Sequence, residues 1–244
     1  AAVDPVTGQQ LTNPNTGEPV ANHDFLASSR NNFLYAGGVP FFYWPVMATN
    51  FQKSSYYLDR IRIKNDSVFG TQTMVDLDMF QLLGRQDIPR NTRWILSADA
   101  FSQRGFGLGN SVQYERESFL RLPGPNSGTL DVWGMHEAGL DNLGADRRAL
   151  LPEKDFRGRA IWHHRQYLPG EMQWTAEIGL ISDRNFLEQY YEREWDEQKD
   201  QSTGIELKRY IENRSWSITA DLRINDFFTQ TNWLPRYDHF WIGQ

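Results

Sequence analysis

The chain has 244 residues, 39% hydrophobic and 23% charged, and no cysteine, which excludes a disulfide scaffold, a thiolate zinc site and a cysteine nucleophile together. A net charge of −6 argues against a nucleic-acid footprint, which needs a basic stripe. The longest nearly apolar run, Ala36 to Ala48, is too short and too broken by proline for a membrane helix; a mean hydropathy of −0.63 is no argument for solubility, because barrel strands face lipid with alternate residues only.

Ala1 to Asn32 is rich in Asn, Gly, Pro and Thr, lacks an apolar period and reads as loop or linker. It shows no signal-peptide pattern, so the sequence reads as mature or as beginning partway into a longer protein. From Ser55 onward, segments of about ten residues alternate apolar and polar side chains between turns, which predicts strands over 55–65, 68–80, 92–103, 109–121, 128–137, 158–167, 172–182, 202–211, 214–225 and 234–243. The clearest is 214–225, where Trp216, Ile218, Ala220, Leu222 and Ile224 oppose Ser217, Thr219, Asp221 and Arg223. No βαβ alternation occurs, so the expected fold class is all-β. Strands this long suit a bilayer crossing, since soluble strands average ~5 to 6 residues, and Trp94, Trp162, Trp174 and Trp216 sit where an interfacial aromatic girdle would place them. The expectation is an antiparallel transmembrane β-barrel, partial at roughly ten strands. Its wet interior would be lined by Gln72, Asp76, Asp78, Asp99, Glu177, Asp221 and Arg223.

Loop lengths agree with that architecture: the long connections 138–157 and 183–201 fall at one end, the tight turns 168–171 and 212–214 at the other, with 81–91 a longer exception. One helix is predicted, Asn185 to Lys199, with Ser182 and Asp183 as caps. The segment 183–201 carries seven acids against three bases, a local charge of −4, and reads as a solvated loop or as a divalent-cation bridge to anionic headgroups.

Few motifs suggest chemistry. His163 and His164 are strand neighbours and point to opposite faces, so they cannot share a metal. Asp76 and Asp78 do share a face and would suit a metal-dependent glycan transferase, but their mid-strand position favours lumen lining. Gly105, Gly107 and Gly109 read as a hairpin turn, with no helix following to receive a phosphate. No catalytic residue, metal site or cofactor is expected.

The segment GGVPFFYWP at 37–45, with Asn32, Leu34 and Tyr35 before it, resembles the junction of the lipopolysaccharide-assembly outer-membrane protein family (LptD, or organic solvent tolerance protein OstA). FRGRAIWHHRQYLPGEMQWTAEIGLISDRNFLEQYYE at 156–192 and NDFFTQTNWLPR at 225–236 are similar to that family's barrel segments, in the same order. The resemblance implies a fragment: residues 1–50 as the end of a periplasmic β-jelly-roll and junction, 51–244 as the first part of the barrel. It implies insertion of lipopolysaccharide or a similar glycolipid into the outer leaflet, with no covalent chemistry. Gly38, Pro40, Phe42, Tyr43 and Pro45 would form the junction through which lipid arrives. Implied partners are membrane lipids, a lipoprotein plug (LptE-like) and periplasmic bridge proteins (LptA-like), without nucleic acid. The family's first strands often carry prolines and its better-known members carry disulfides; here 55–65 and 68–80 have no proline, and the chain has no cysteine. From the residues alone, a passive porin or solute channel and a glycan-active protein using Asp76 and Asp78 stand as alternatives.

Overall fold

The computed structural model describes residues 10, 12, 26–36, 39–50, 57–85, 87–197 and 201–243. They fall into two units, 1–57 with 80–86, and 58–79 with 87–244.

In the first unit, β1 (Leu26–Ala36) and β2 (Val39–Asn50) form an antiparallel hairpin. A register shift between Leu34 and Tyr35 marks a bulge. The loop expected up to Asn32 therefore already contains strand from Leu26. LASSRNNFLYA has no period-two pattern, and its extension comes from pairing with the apolar run opposite.

The second unit is one ten-stranded antiparallel sheet. In chain order its strands are β3 (Leu58–Asp66), β4 (Gly70–Asp78), β5 (Thr92–Phe101), β6 (Gly105–Phe119) and β7 (Leu122–His136). A connection carrying the small hairpin β8 (Asp141–Asn142) and β9 (Arg148–Leu150) leads to β10 (Phe156–Leu168) and β11 (Met172–Ile181). The sheet closes its sequence with β12 (Gly204–Ile211), β13 (Arg214–Asp221) and β14 (Trp233–Trp241). Spatial order follows chain order, and the outermost strands, β3 and β14, are not paired with each other.

All ten predicted segments correspond to strands of this sheet. Their ends differ where turn residues mislead. Residues 122–127 (LPGPNS), left between the predicted strands 109–121 and 128–137, pair with β6. Pro123 fits because the β10 ladder reaches back only to Asn126, so no backbone bond to β10 is asked of its nitrogen. Gly105, Gly107 and Gly109 belong to β6 and not to a turn. A Cβ on Gly107 would lie 2.6 Å from Trp133 Cζ2, and one on Gly109 2.8 Å from Trp133 Cδ1, so the two glycines make the bed for that indole. β13 stops at Asp221, short of the predicted 225, because Asn225 turns back to β11: its Nδ2 donates to the Gly179 carbonyl (2.6 Å) and its Oδ1 accepts from Ile181 N–H (3.0 Å).

The register sorts side chains onto two faces. One face carries Ile61, Ile63, Val75, Leu96, Phe106, Leu108, Val132, Phe156, Ile178, Leu180, Ile205 and Ile218. Most of these remain exposed, Ile63 at 72% and Phe106 at 77%. The opposite face carries Arg60, Arg62, Gln72, Asp76, Arg93, Asp99, Asp131, Arg159, Arg165, Glu177, Glu206, Lys208 and Asp221. The main cluster of buried apolar residues lies on this second face, where Phe101, Trp133, Met135 and Ile181 pack under Phe186 and Leu187.

Candidate functional site

Connections alternate between the two ends of the strands. The tight turns 120–121, 169–171 and 212–213 lie at one end of the strands; the long connections 137–155, 182–203 and 222–232 leave from and return to the other. At this second end the 182–203 connection folds back over the polar face. It contains two short helices, α2 (Phe186–Tyr190) and α3 (Glu192–Asp196), in place of the single predicted helix; the one-turn helix α1 (Met79–Leu82) follows β4 in the chain. The break is at Tyr191, whose φ of −135° and ψ of 47° are not helical. The N-cap of α2 is Asn185, without a side-chain cap bond, while Asp183 Oδ1 accepts from Asn185 N–H (3.1 Å).

Asp183 has a larger role than a cap. Arg157 Nε and Nη2 each donate to one of its oxygens at 2.9 Å, a two-pronged pairing that fixes the guanidinium plane. Arg157 Nη1 donates to Asp141 and lies 3.6 Å from Glu137 Oε2. Arg104 Nη1 is 3.4 Å from Glu137 Oε1 and 3.8 Å from Asp141 Oδ1, its Nε donates to the Val68 carbonyl (3.1 Å), and its guanidinium stands 5.0 Å from the Phe69 ring centroid. Tyr190 of α2 donates its hydroxyl to Glu137. Two guanidiniums thus face three carboxylates, all at most 1% exposed in their side chains. Burial raises the Asp141 carboxyl above the ordinary carboxylate value, opposed by its hydrogen bond from Arg157. Burial, reinforced by the Glu137 carboxylate, pushes the Tyr190 hydroxyl far up, so it remains a donor.

The network ties four connections, 67–69, 102–104, 137–155 and 182–203, into a plug on the polar face. Its apolar side is aromatic, with Phe69, Phe101, Trp133, Phe186, Tyr190 and Tyr191 packed edge to face or tilted. Arg159 marks its lower boundary. This residue donates to Asp131 on β7 and to both oxygens of Glu194 on α3 (2.9 and 2.8 Å), and its guanidinium lies 3.5 Å from the Tyr191 ring centroid.

Nearer the tight-turn end lies an open cavity of about 890 Å3, lined by Arg93, Gln113, Glu115, Thr129, Arg165 and Glu177 among others. Donors, acceptors and both signs of charge are interleaved there, which suits a polyhydroxylated or zwitterionic solute better than an apolar one. No family model matches the chain, and no curated protein does.

Most predicted lining residues share this polar face. Gln72 Nε2 donates to Asp66; Asp76 accepts from Ser97 Oγ (2.8 Å) and lies 3.4 Å from Arg60 and 3.8 Å from Arg62. Asp99 accepts from Trp133 Nε1 (2.8 Å) and Glu177 from Ser202 Oγ (2.7 Å). Asp78 and Asp221 end their strands on the same face. Arg223 departs from the expectation: it lies beyond β13, exposed, because the strand stops at Asp221. His163 and His164 do take opposite faces: His163 borders the polar cavity, and His164 Nδ1 meets the Tyr114 hydroxyl (2.9 Å) among Phe119, Trp162 and Trp174. Trp162 and Trp174 thus gather into an aromatic cluster on the apolar face. Pro40, Phe42, Tyr43 and Pro45 lie in β2, and Gly38 lies outside the described residues.

The acidic segment expected to be a solvated loop is solvated only in part: Phe186 is fully buried and three of the acids meet arginines, Asp183 with Arg157, Glu188 with Arg147 (2.7 Å) and Glu194 with Arg159, while Glu192, Asp196 and Glu197 are exposed. Among the described residues no group of three His, Asp or Glu side chains is placed to hold a metal ion, so the cation bridge finds no support. The sequence reading missed Arg104, Glu137, Asp141, Arg157 and Tyr190. The available signal was the run of arginines and acids at strand ends facing long connections, where soluble-looking charge converges once the loops fold inward.

Proposed function

We propose that this chain forms part of the wall of an outer-membrane β-barrel that passes lipopolysaccharide or a comparable glycolipid to the outer leaflet. One observation carries the reading: the sheet leaves its apolar face exposed and gathers its charges and its plug on the polar face, the reverse of a soluble sheet packed on an apolar core. A charged saccharide needs a wet interior of mixed donors and acceptors, and the cavity beside Arg165 and Glu177 supplies one. The resemblance at 37–45, 156–192 and 225–236 selects the glycolipid cargo and, with it, a lipoprotein plug and a periplasmic bridge protein as partners. The plug over the polar face favours a second reading, a solute channel with a constricting loop.

The test compares two arginine substitutions in the purified chain refolded into phospholipid vesicles. Ile178→Arg, on the exposed apolar face, is expected to destabilise the inserted form by about 2–4 kcal/mol, whereas Thr175→Arg, on the polar face, leaves it nearly unchanged. Equal effects would overturn the membrane reading, because in water both are surface substitutions of small effect. Photo-crosslinking of lipopolysaccharide from position 129 or 177 supports the glycolipid route; a steady open conductance in planar bilayers without such crosslinks supports the solute channel.

A further inference from the structure

The apolar face is not evenly covered. At its long-connection end, Phe106, Leu108, Phe156 and Leu180 stand off strands β6, β10 and β11, while Gly134 and Ala160 leave the floor between them low. The result is a trough of about 780 Å3. Its glycine is required by the packing, since a Cβ on Gly134 would lie 2.7 Å from Phe156 Cζ. Phe106, Leu108 and Phe156 are each more than 60% exposed, so the walls are built but nothing of this unit fills the space between them. Lys154, in the connection just before β10, sits on the rim and makes no ion pair among the described residues; Glu153 and Asp155, its neighbours in sequence, do not line the trough.

We propose that this trough holds one acyl chain of an anionic phospholipid-like molecule, with the headgroup phosphate at Lys154. The proposal rests on the membrane reading above. An apolar slot opening on the lipid-facing side excludes a polar ligand, and Lys154 on its rim stands where a headgroup would emerge, beyond the ends of the strands; Arg159 also lines the slot but turns its guanidinium to the opposite face, against Asp131 and Glu194, and His136 stands beside Phe156. The trough crosses β6, β7, β10 and β11, and three inter-strand spacings of ~4.8 Å make a span of roughly 14 Å, which a fatty acyl chain covers. Such a lipid would be a fixed component of the wall, distinct from cargo in the polar cavity.

The experiment uses the full chain refolded in vesicles of mixed phosphatidylglycerol and phosphatidylcholine, then released into detergent for native mass spectrometry. The expected result is retention of one phosphatidylglycerol in preference to phosphatidylcholine. Lys154→Gln should lower that retention about fivefold, the worth of one surface lysine at an anionic membrane. Ala160→Trp, which fills the floor, should abolish retention of both lipids, while Ala220→Trp, on the same face but two strands away on β13, leaves it unchanged. Equal retention of the two lipids, indifference to Lys154→Gln and Ala160→Trp, or dimers in place of lipid adducts would overturn the site. A chain that never inserts, and washes off vesicles in alkaline carbonate, overturns the membrane reading instead.

Discussion

Replacing Arg157 with alanine tests whether the plug is held by its charge network. The side chain is fully buried, donates two hydrogen bonds to Asp183 and one to Asp141, and lies 3.6 Å from Glu137. Its loss leaves three buried carboxylates facing Arg104 alone, whose closest carboxylate contact is 3.4 Å, and moves the local charge from −1 to −2. Removing one member of a buried ion pair costs about 3–5 kcal/mol, because the remaining charges stay desolvated. The open state of the plug should therefore rise about a hundred- to several-thousand-fold. Amide hydrogen exchange reads this directly: amides over 186–196 lose protection in Arg157→Ala while those of β6, β7, β10 and β11 keep theirs. Arg157→Lys preserves charge without the two-pronged geometry and should fall between. Arg193→Gln, at an exposed i,i+4 pair with Glu197, should change nothing. Unchanged protection over 186–196 in Arg157→Ala would refute the reasoning, and so would loss of protection in loop and strands together, since the sheet would then depend on the plug.

Other consequences can be measured in the same preparation. Because burial raises the Asp141 pKa, protonated Asp141 favours the folded form, and this contribution disappears as pH rises through the raised value; Asp141→Asn should remove that pH dependence from thermal melts taken between the ordinary carboxylate range and neutrality. Phe186→Ala empties the centre of the aromatic cluster and should cost about 3–5 kcal/mol of plug stability, seen as lost protection over 186–196 in the same exchange experiment. Gly107→Val places a branched side chain against Trp133 and should cost about 1–3 kcal/mol, with a shifted tryptophan emission as the local readout.

The strand count and the division into two faces were legible because period-two alternation is a property of each segment alone. Trp216, Ile218 and Ala220 oppose Ser217 and Thr219 whatever lies beside them, and pairing merely ranks these segments side by side. The plug was not legible, because no periodicity reports where a connection folds. Asp183 looked like a helix cap, and locally it does accept an amide, but its principal bond is to an arginine 26 residues away. Strand ends failed for a related reason: Pro123 and Gly124 carry turn chemistry, and that stretch extends because it pairs with β6 while the β10 ladder stops at Asn126. β1 was hidden by a polar sequence that its hairpin pairing with β2 straightens.

The way the plug is tied has a consequence for the order of assembly. Nearly every strand in the sheet pairs with its neighbour in sequence, so the sheet can be laid down hairpin by hairpin. The network that closes over it joins residues up to 53 positions apart, through Tyr190 and Glu137, and depends on connections that are correctly placed only after β11 is in position. Contacts of such separation form late, since their loop-closure entropy must be overcome before they contribute. Until they form, Arg104 and Arg157 stand as two unneutralised cations on a half-built wall, so a closed plug is itself a signal that this part of the sheet has been completed in register.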